Sequence, residues 1–100
     1  MIKAFKLVTG EEVVAKISKY DPDTGEYTLD KPRTLMMVPA AEKGQMHLSL
    51  IPWMVSAQDA ETGVEIDSVL HESQIVGQVV RVPNQLERGY MKNVSTIQLL

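Results

Sequence analysis

His71 offers the plainest chemistry in this chain. Ser73 follows two residues later, Glu72 lies between them and Asp67 just upstream. Histidine beside serine is how a base activates a nucleophile, and histidine with carboxylates suits zinc or manganese. The surroundings favour neither. No Gly-x-Ser-x-Gly turn is present to hold the serine as a nucleophile. His47, the other histidine, is distant, and no metal-ligand spacing joins the two. With no cysteine, disulfides, thiolate metal sites and cysteine nucleophiles are excluded. Gly10 stands alone before Glu11 and Glu12, which repel phosphate, so there is no phosphate loop. No enzyme, metal or cofactor is expected.

What remains is charge and aromatic surface. Lys3, Lys6, Lys16, Lys19, Lys31 and Arg33 are the positions to test for phosphate contacts, with ordinary solvated charges the equal alternative. Tyr20 or Tyr27 could stack on a base, though packing on or near the core is the stronger reading for each. Against them stands a net charge of −3, which gives no general pull toward phosphate or anionic lipid. Residues 1–50 are balanced, with seven bases and seven acids, so the acid excess lies later. Asp59, Glu61, Glu65, Asp67 and Glu72 form an acidic stretch without a lysine or arginine, read first as a solvated loop.

The elements that position these groups follow from apolar spacing. One hundred residues, 44% hydrophobic and 23% charged, make one domain of ordinary globular composition. No apolar run reaches the ~20 residues of a membrane span, and the N-terminus lacks a signal-peptide core. A cytoplasmic protein is expected. Ile2 to Val8 reads as a strand with Ile2 and Ala4 on one face and Phe5 and Leu7 on the other. Gly10 supplies a turn. Glu11 to Tyr20 is a second strand, with Val13, Ala15 and Ile17 facing inward. Asp21-Pro22-Asp23-Thr24-Gly25 turns the chain into a third strand, Glu26 to Leu35, in which Pro32 ends, bulges or edges the ladder. Met36, Met37, Met46 and Met54 make a methionine-rich middle that reads as core filler. Met46 to Ala57 is a long apolar run interrupted at Pro52, beside Trp53. Val64 to Leu70 is a short apolar segment before the corner at His71. Ile75 to Val82 is apolar on both faces, the mark of a strand covered on both sides, by this chain or by another. Asn84 with Glu87 resembles a capping box, and Leu86, Tyr90, Met91 and Val94 have helical spacing. A helix over residues 84–94 is expected, then a short strand or a tail to Leu100.

Leu7-x-x-Gly10-x-x-Val13-x-x-x-Ile17-x-x-x-Asp21, followed by Leu29, resembles the first motif of the Sm and Sm-like proteins. Ser68 to Val82 can be laid on the second motif, strand, corner and strand. A helix after the β region is similar to the small Sm-like proteins of tailed bacteriophages, of the cyanophage type. The resemblance implies a mainly β fold: a small five-stranded antiparallel Sm-like barrel over about residues 1–82, an enlarged connection between strands 3 and 4, and a short C-terminal helix. It further implies a homo-oligomeric ring of about five to seven subunits, closed by strand-to-strand contact between neighbours. The activity implied is binding of single-stranded RNA or scaffolding of RNA processing, in the host cytoplasm if the chain is phage-encoded. Lys16, Lys19, Tyr20, Asp21, Lys31, Arg33 and His71 are then the nucleic-acid candidates. Met46, Leu48, Leu50, Trp53, Ile75, Val76, Val79 and Val80 are the candidates for the subunit interface. Two family positions differ: the loop after Asp21 has no asparagine, and the usual Arg-Gly corner falls at about His71-Glu72. The second expectation is therefore a phage structural protein or protein-interaction adaptor without nucleic-acid binding.

Overall fold

The computed structural model describes residues 1–95. The expected strand or tail at the C-terminus lies outside them from residue 96 on. The described chain is an antiparallel sheet with one helix behind it. Its strands are β1 (Ile2–Leu7), β2 (Glu12–Asp21), β3 (Glu26–Pro39), β4 (Met46–Pro52), β5 (Ser68–His71) and β6 (Ile75–Gln78), and the helix is α1 (Asn84–Ser95). The strand order is β4-β3-β2-β1-β6, with β5 also on β3.

Alternation in the first two strands gives the sheet two apolar faces. Phe5, Leu7, Val13, Ala15 and Leu29 form one cluster with Leu70, and Ile17, Tyr27, Trp53 and Ile75 pack against it. Ala4 and Val14 face the other way and meet Val82 and Tyr90, with Ile2, Leu35, Leu50, Leu86 and Val94 around them. Because β5 and β6 sit at different edges yet share the first cluster, the sheet must curl around it. A single 3-10 turn, Glu72–Gln74, joins β5 to β6.

The sheet has six strands instead of the expected five, and no ladder joins β5 to β6 to close it. The extra strand has a simple origin. Residues 33–39 of β3 pair with β4, and residues 26–29 pair with β5, both antiparallel. β4 and β5 therefore lie end to end along one edge of β3, as one strand interrupted by residues 53–67. A 3-10 turn at Val55–Ala57 and a bridge between Gln58 and Glu65 fold that insertion.

Ile75 to Val82 departs further from expectation. Only Ile75–Gln78 is strand. Val79 N–H still reaches the Ala4 carbonyl at 3.1 Å. The chain then leaves the sheet to enter the helix, so Val80 is 100% exposed while Val82 is buried against Tyr90. Within one chain, the segment is not covered on both faces. The helix matches its expected span, but its first bond runs from Glu87 N–H to the Pro83 carbonyl. Pro83 thus holds the cap position intended for Asn84.

Pro32 marks a bulge. Val14 pairs with Arg33 and Lys16 with Asp30, so Ala15 faces two residues, Lys31 and Pro32. Lys31 takes φ +50° there. The helix fastens onto this irregularity. The Tyr90 hydroxyl accepts from Lys16 N–H at 3.1 Å and lies 2.9 Å from the carbonyls of both Asp30 and Lys31, to which its one proton can be donated.

Candidate functional site

Three groups of candidate residues separate in the structure. The first lies where the β2–β3 turn meets the β5–β6 corner. Gly25 N–H closes the turn on the Asp21 carbonyl, and Asp21 Oδ1 accepts Asp23 N–H at 2.9 Å. Gly25 has φ +75°, and a Cβ on it would stand 3.0 Å from the Glu72 side chain. Glycine therefore permits both the turn and the approach of the corner. Glu72 N–H donates to the Gly25 carbonyl at 2.8 Å, and the Tyr20 hydroxyl donates to Glu72 Oε1 at 2.5 Å. That bond to a carboxylate is the main reason the Tyr20 hydroxyl is pushed up to about 12. The Tyr20 ring packs on Tyr27 with centroids 4.5 Å apart, and Tyr27 packs on Phe5 at 5.1 Å.

His71 is part of the same corner, opposite Glu26 on β3. Its Nδ1 accepts Ser73 N–H at 3.0 Å and lies 2.8 Å from Ser73 Oγ. The pair suspected of catalysis is thus brought together, but as a cap on the 3-10 turn. A ring nitrogen already held by a backbone amide is poorly placed to take a proton from the serine. No group of three metal-ligating side chains gathers among the described residues.

The second group is basic. Lys16 and Lys19 are exposed on β2. Lys31 Nζ lies 3.4 Å from Asp30 Oδ1. Arg33 corrects the expectation of a solvated phosphate contact, because it is 0% exposed. Its Nη1 donates to Glu65 Oε2 and to the Pro32 carbonyl at 3.0 Å each, and its Nε donates to Asn93 Oδ1 at 2.9 Å. Nη2 stands 3.0 Å from Glu65 Oε1 as an ion-pair contact. Asn93 Nδ2 continues the chain of bonds to the Leu50 carbonyl at 3.2 Å. This network ties β3, the 53–67 insertion, α1 and β4 together, so Glu65 belongs to the interior and not to a solvated acidic loop.

The third group is apolar. Trp53 and Ile75 pack against the first cluster. Met46, Leu48, Val76, Val79 and Val80 are exposed, and Leu50 is half-buried. Leu48 and Leu50 also form one wall of a groove of about 660 Å³, whose other wall is Pro83, Gln85, Leu86 and Gly89 of the helix and its approach. Sequence reading missed this groove because its walls are 35 residues apart in the chain. The only available signal was Gly89, a costly residue inside a helix.

No described helix is long and apolar enough to cross a membrane. No protein-family model matches the chain, and no curated protein matches it.

Proposed function

We propose that this protein is a non-enzymatic scaffold that assembles into a homomeric ring of about five to seven subunits in the Sm-like manner. The observation that carries the reading is the pair of strand edges at one corner. β5 pairs only with β3 and β6 only with β1 among the described strands, so each has an outer edge left over. Val69 on β5 and Val76 on β6 are exposed beside those edges, Val76 at 63%. Joining β5 of one copy to β6 of the next covers both. Counting β4 with β5 as one interrupted strand also restores the five-strand order of a small barrel, and the curl around the first cluster supports that barrel. Single-stranded RNA is the proposed ligand, contacted by Lys16, Lys19 and the outer face of Tyr20.

A second reading, a structural or adaptor ring without nucleic acid, is favoured by two specific facts. Arg33 is sealed inside by Glu65, and Glu72 holds the Tyr20 hydroxyl where the family has a base. Light scattering after gel filtration tests the ring. The wild type should elute as one oligomer and Val76→Asp as smaller species; a wild-type monomer at high concentration refutes the assembly. Fluorescence anisotropy with oligo-U and oligo-A at low salt separates the two readings. RNA binding should weaken steeply with salt and on Lys16→Glu/Lys19→Glu. Absence of binding at micromolar protein leaves the adaptor.

A further inference from the structure

The outer edge of β4 can be oriented atom by atom. Gln45 O accepts Ala40 N–H at 2.9 Å, and Trp53 N–H donates to Pro32 O at 3.1 Å. Both residues are odd-numbered, so odd positions along β4 turn their backbone groups toward β3 and even positions turn theirs outward. Asn93 Nδ2 meeting the Leu50 carbonyl agrees with this. Met46, Leu48 and Leu50 therefore present outward N–H and C=O groups, and Pro52 ends the row with no N–H to satisfy. The strand, Met-His-Leu-Ser-Leu-Ile-Pro, carries no lysine or acid to guard its edge. Natural proteins usually blunt such an edge. Beside it runs the groove between β4 and α1, where a Cβ placed on Gly89 would meet, beyond its own stretch of helix, no described atom within 4 Å. An added strand would have its side chains directly in that groove.

From this juxtaposition we infer that β4 pairs with β4 of a second copy, antiparallel, about a two-fold axis at Ser49. This register sets Leu48 opposite Leu50, His47 opposite Ile51, Met46 opposite Pro52, and Ser49 opposite its own copy. No apposed pair sets two ionisable side chains opposite each other, so the seam brings no like charges together. The outward groups of Leu48 and Leu50 exchange N–H···O=C bonds, and the Leu50 carbonyl keeps a lone pair for Asn93. Opposed residues share a face, so the second copy's Leu48 and Leu50 fill the groove beside Leu86 and over Gly89. A neutral, apolar groove next to a neutral, self-complementary edge fits this occupant without any outside peptide. The contact uses the β4 stretch of that sheet edge, whereas the proposed ring uses the β5 stretch and β6, and it does not depend on the ring.

The chain has no cysteine, so one introduced thiol reports on the seam. Ser49 has its backbone groups toward β3, which makes it a non-hydrogen-bonded pair across the axis, with Cα atoms ~4.5 Å apart. That lies within the disulfide range of about 4.4–6.8 Å. Ser49→Cys should form a disulfide-linked dimer under mild oxidation, seen on a non-reducing gel. His47→Cys on the same edge should not, because its copies would be about 13 Å apart. Adding Leu48→Pro to Ser49→Cys removes one outward N–H that has no acceptor among the described residues, and should abolish the cross-link while the circular dichroism spectrum stays native. Equal cross-linking of the two cysteine variants overturns the register. No cross-link at Ser49→Cys overturns the seam, including the case where another protein's strand is found on the edge. Val76→Asp should leave the cross-link intact, which separates failure of this contact from failure of the ring.

Discussion

Tyr90→Phe removes one oxygen from the point where the helix grips the bulge. Tyr90 is 2% exposed, and its hydroxyl is the partner of Lys16 N–H and of the Asp30 and Lys31 carbonyls. Phenylalanine keeps the ring and its packing, so the loss is confined to polar groups left without partners. The Lys16 amide is part-buried at this bond, and a donor left there without an acceptor costs up to the roughly 1–3 kcal/mol of a buried one. Taking about 2 kcal/mol, with about 4–8 °C per kcal/mol for a chain of this size, the melting temperature should fall by about 8–16 °C. Urea unfolding followed by Trp53 fluorescence gives the free energy, and hydrogen exchange at the Lys16 amide gives the site. Exchange there should accelerate more than at the neighbouring β1–β2 amides. The pH dependence supplies an independent check. Burial is the main reason the Tyr90 hydroxyl is pushed up to about 12 from its ordinary 10.0. A raised value means the fold favours the neutral phenol. This stability is intact below pH 10 and is lost as pH climbs from 10 through about 12. Tyr90→Phe should flatten that alkaline limb, and Tyr20→Phe controls for the other raised phenol. A variant that melts within about 2 °C of wild type, with the Lys16 amide still protected, would refute the claim that this hydroxyl secures the bulge.

Arg33→Met or Glu65→Gln leaves half of a buried ion pair and should cost about 3–5 kcal/mol in urea unfolding. The double variant Arg33→Met/Glu65→Met should cost less than the sum, since no lone charge remains. Gly25→Ala meets a positive φ and the Glu72 side chain at 3.0 Å, so it should lose about 1 kcal/mol. If the substitution displaces Glu72, ultraviolet titration should show the Tyr20 phenol moving down from about 12 toward its ordinary range. Arg33→Ala in any nucleic-acid assay should change binding only through stability, because Arg33 is sealed from solvent.

The strands that alternate cleanly were legible in the sequence. Ile2 and Ala4 opposite Phe5 and Leu7, and Val13, Ala15 and Ile17 together, are the sides the two clusters show. Legibility failed where one residue changes the period. Leu29 faces the first cluster, and an unbroken alternation would send residues 31, 33 and 35 to the same side. The extra residue at Lys31–Pro32 reverses that. Leu35 then lies in the helix-side cluster, and Arg33 reaches Asn93 on the helix. Proline announced an irregularity, but nothing in its type says whether a strand stops there or continues with its faces exchanged. The same exchange explains why the basic candidates scattered. Lys16 and Lys19 stay on the surface, whereas Arg33 is carried inward to a carboxylate that itself looked like part of a solvated acidic run. Glu65 is flanked by Val64 and Ile66, and the chain that presents it, residues 53–67, is the insertion dividing β4 from β5. An arginine can be buried here only because that insertion returns an acid to it. The insertion that made the sixth strand is therefore also what removed Arg33 from the candidate binding surface.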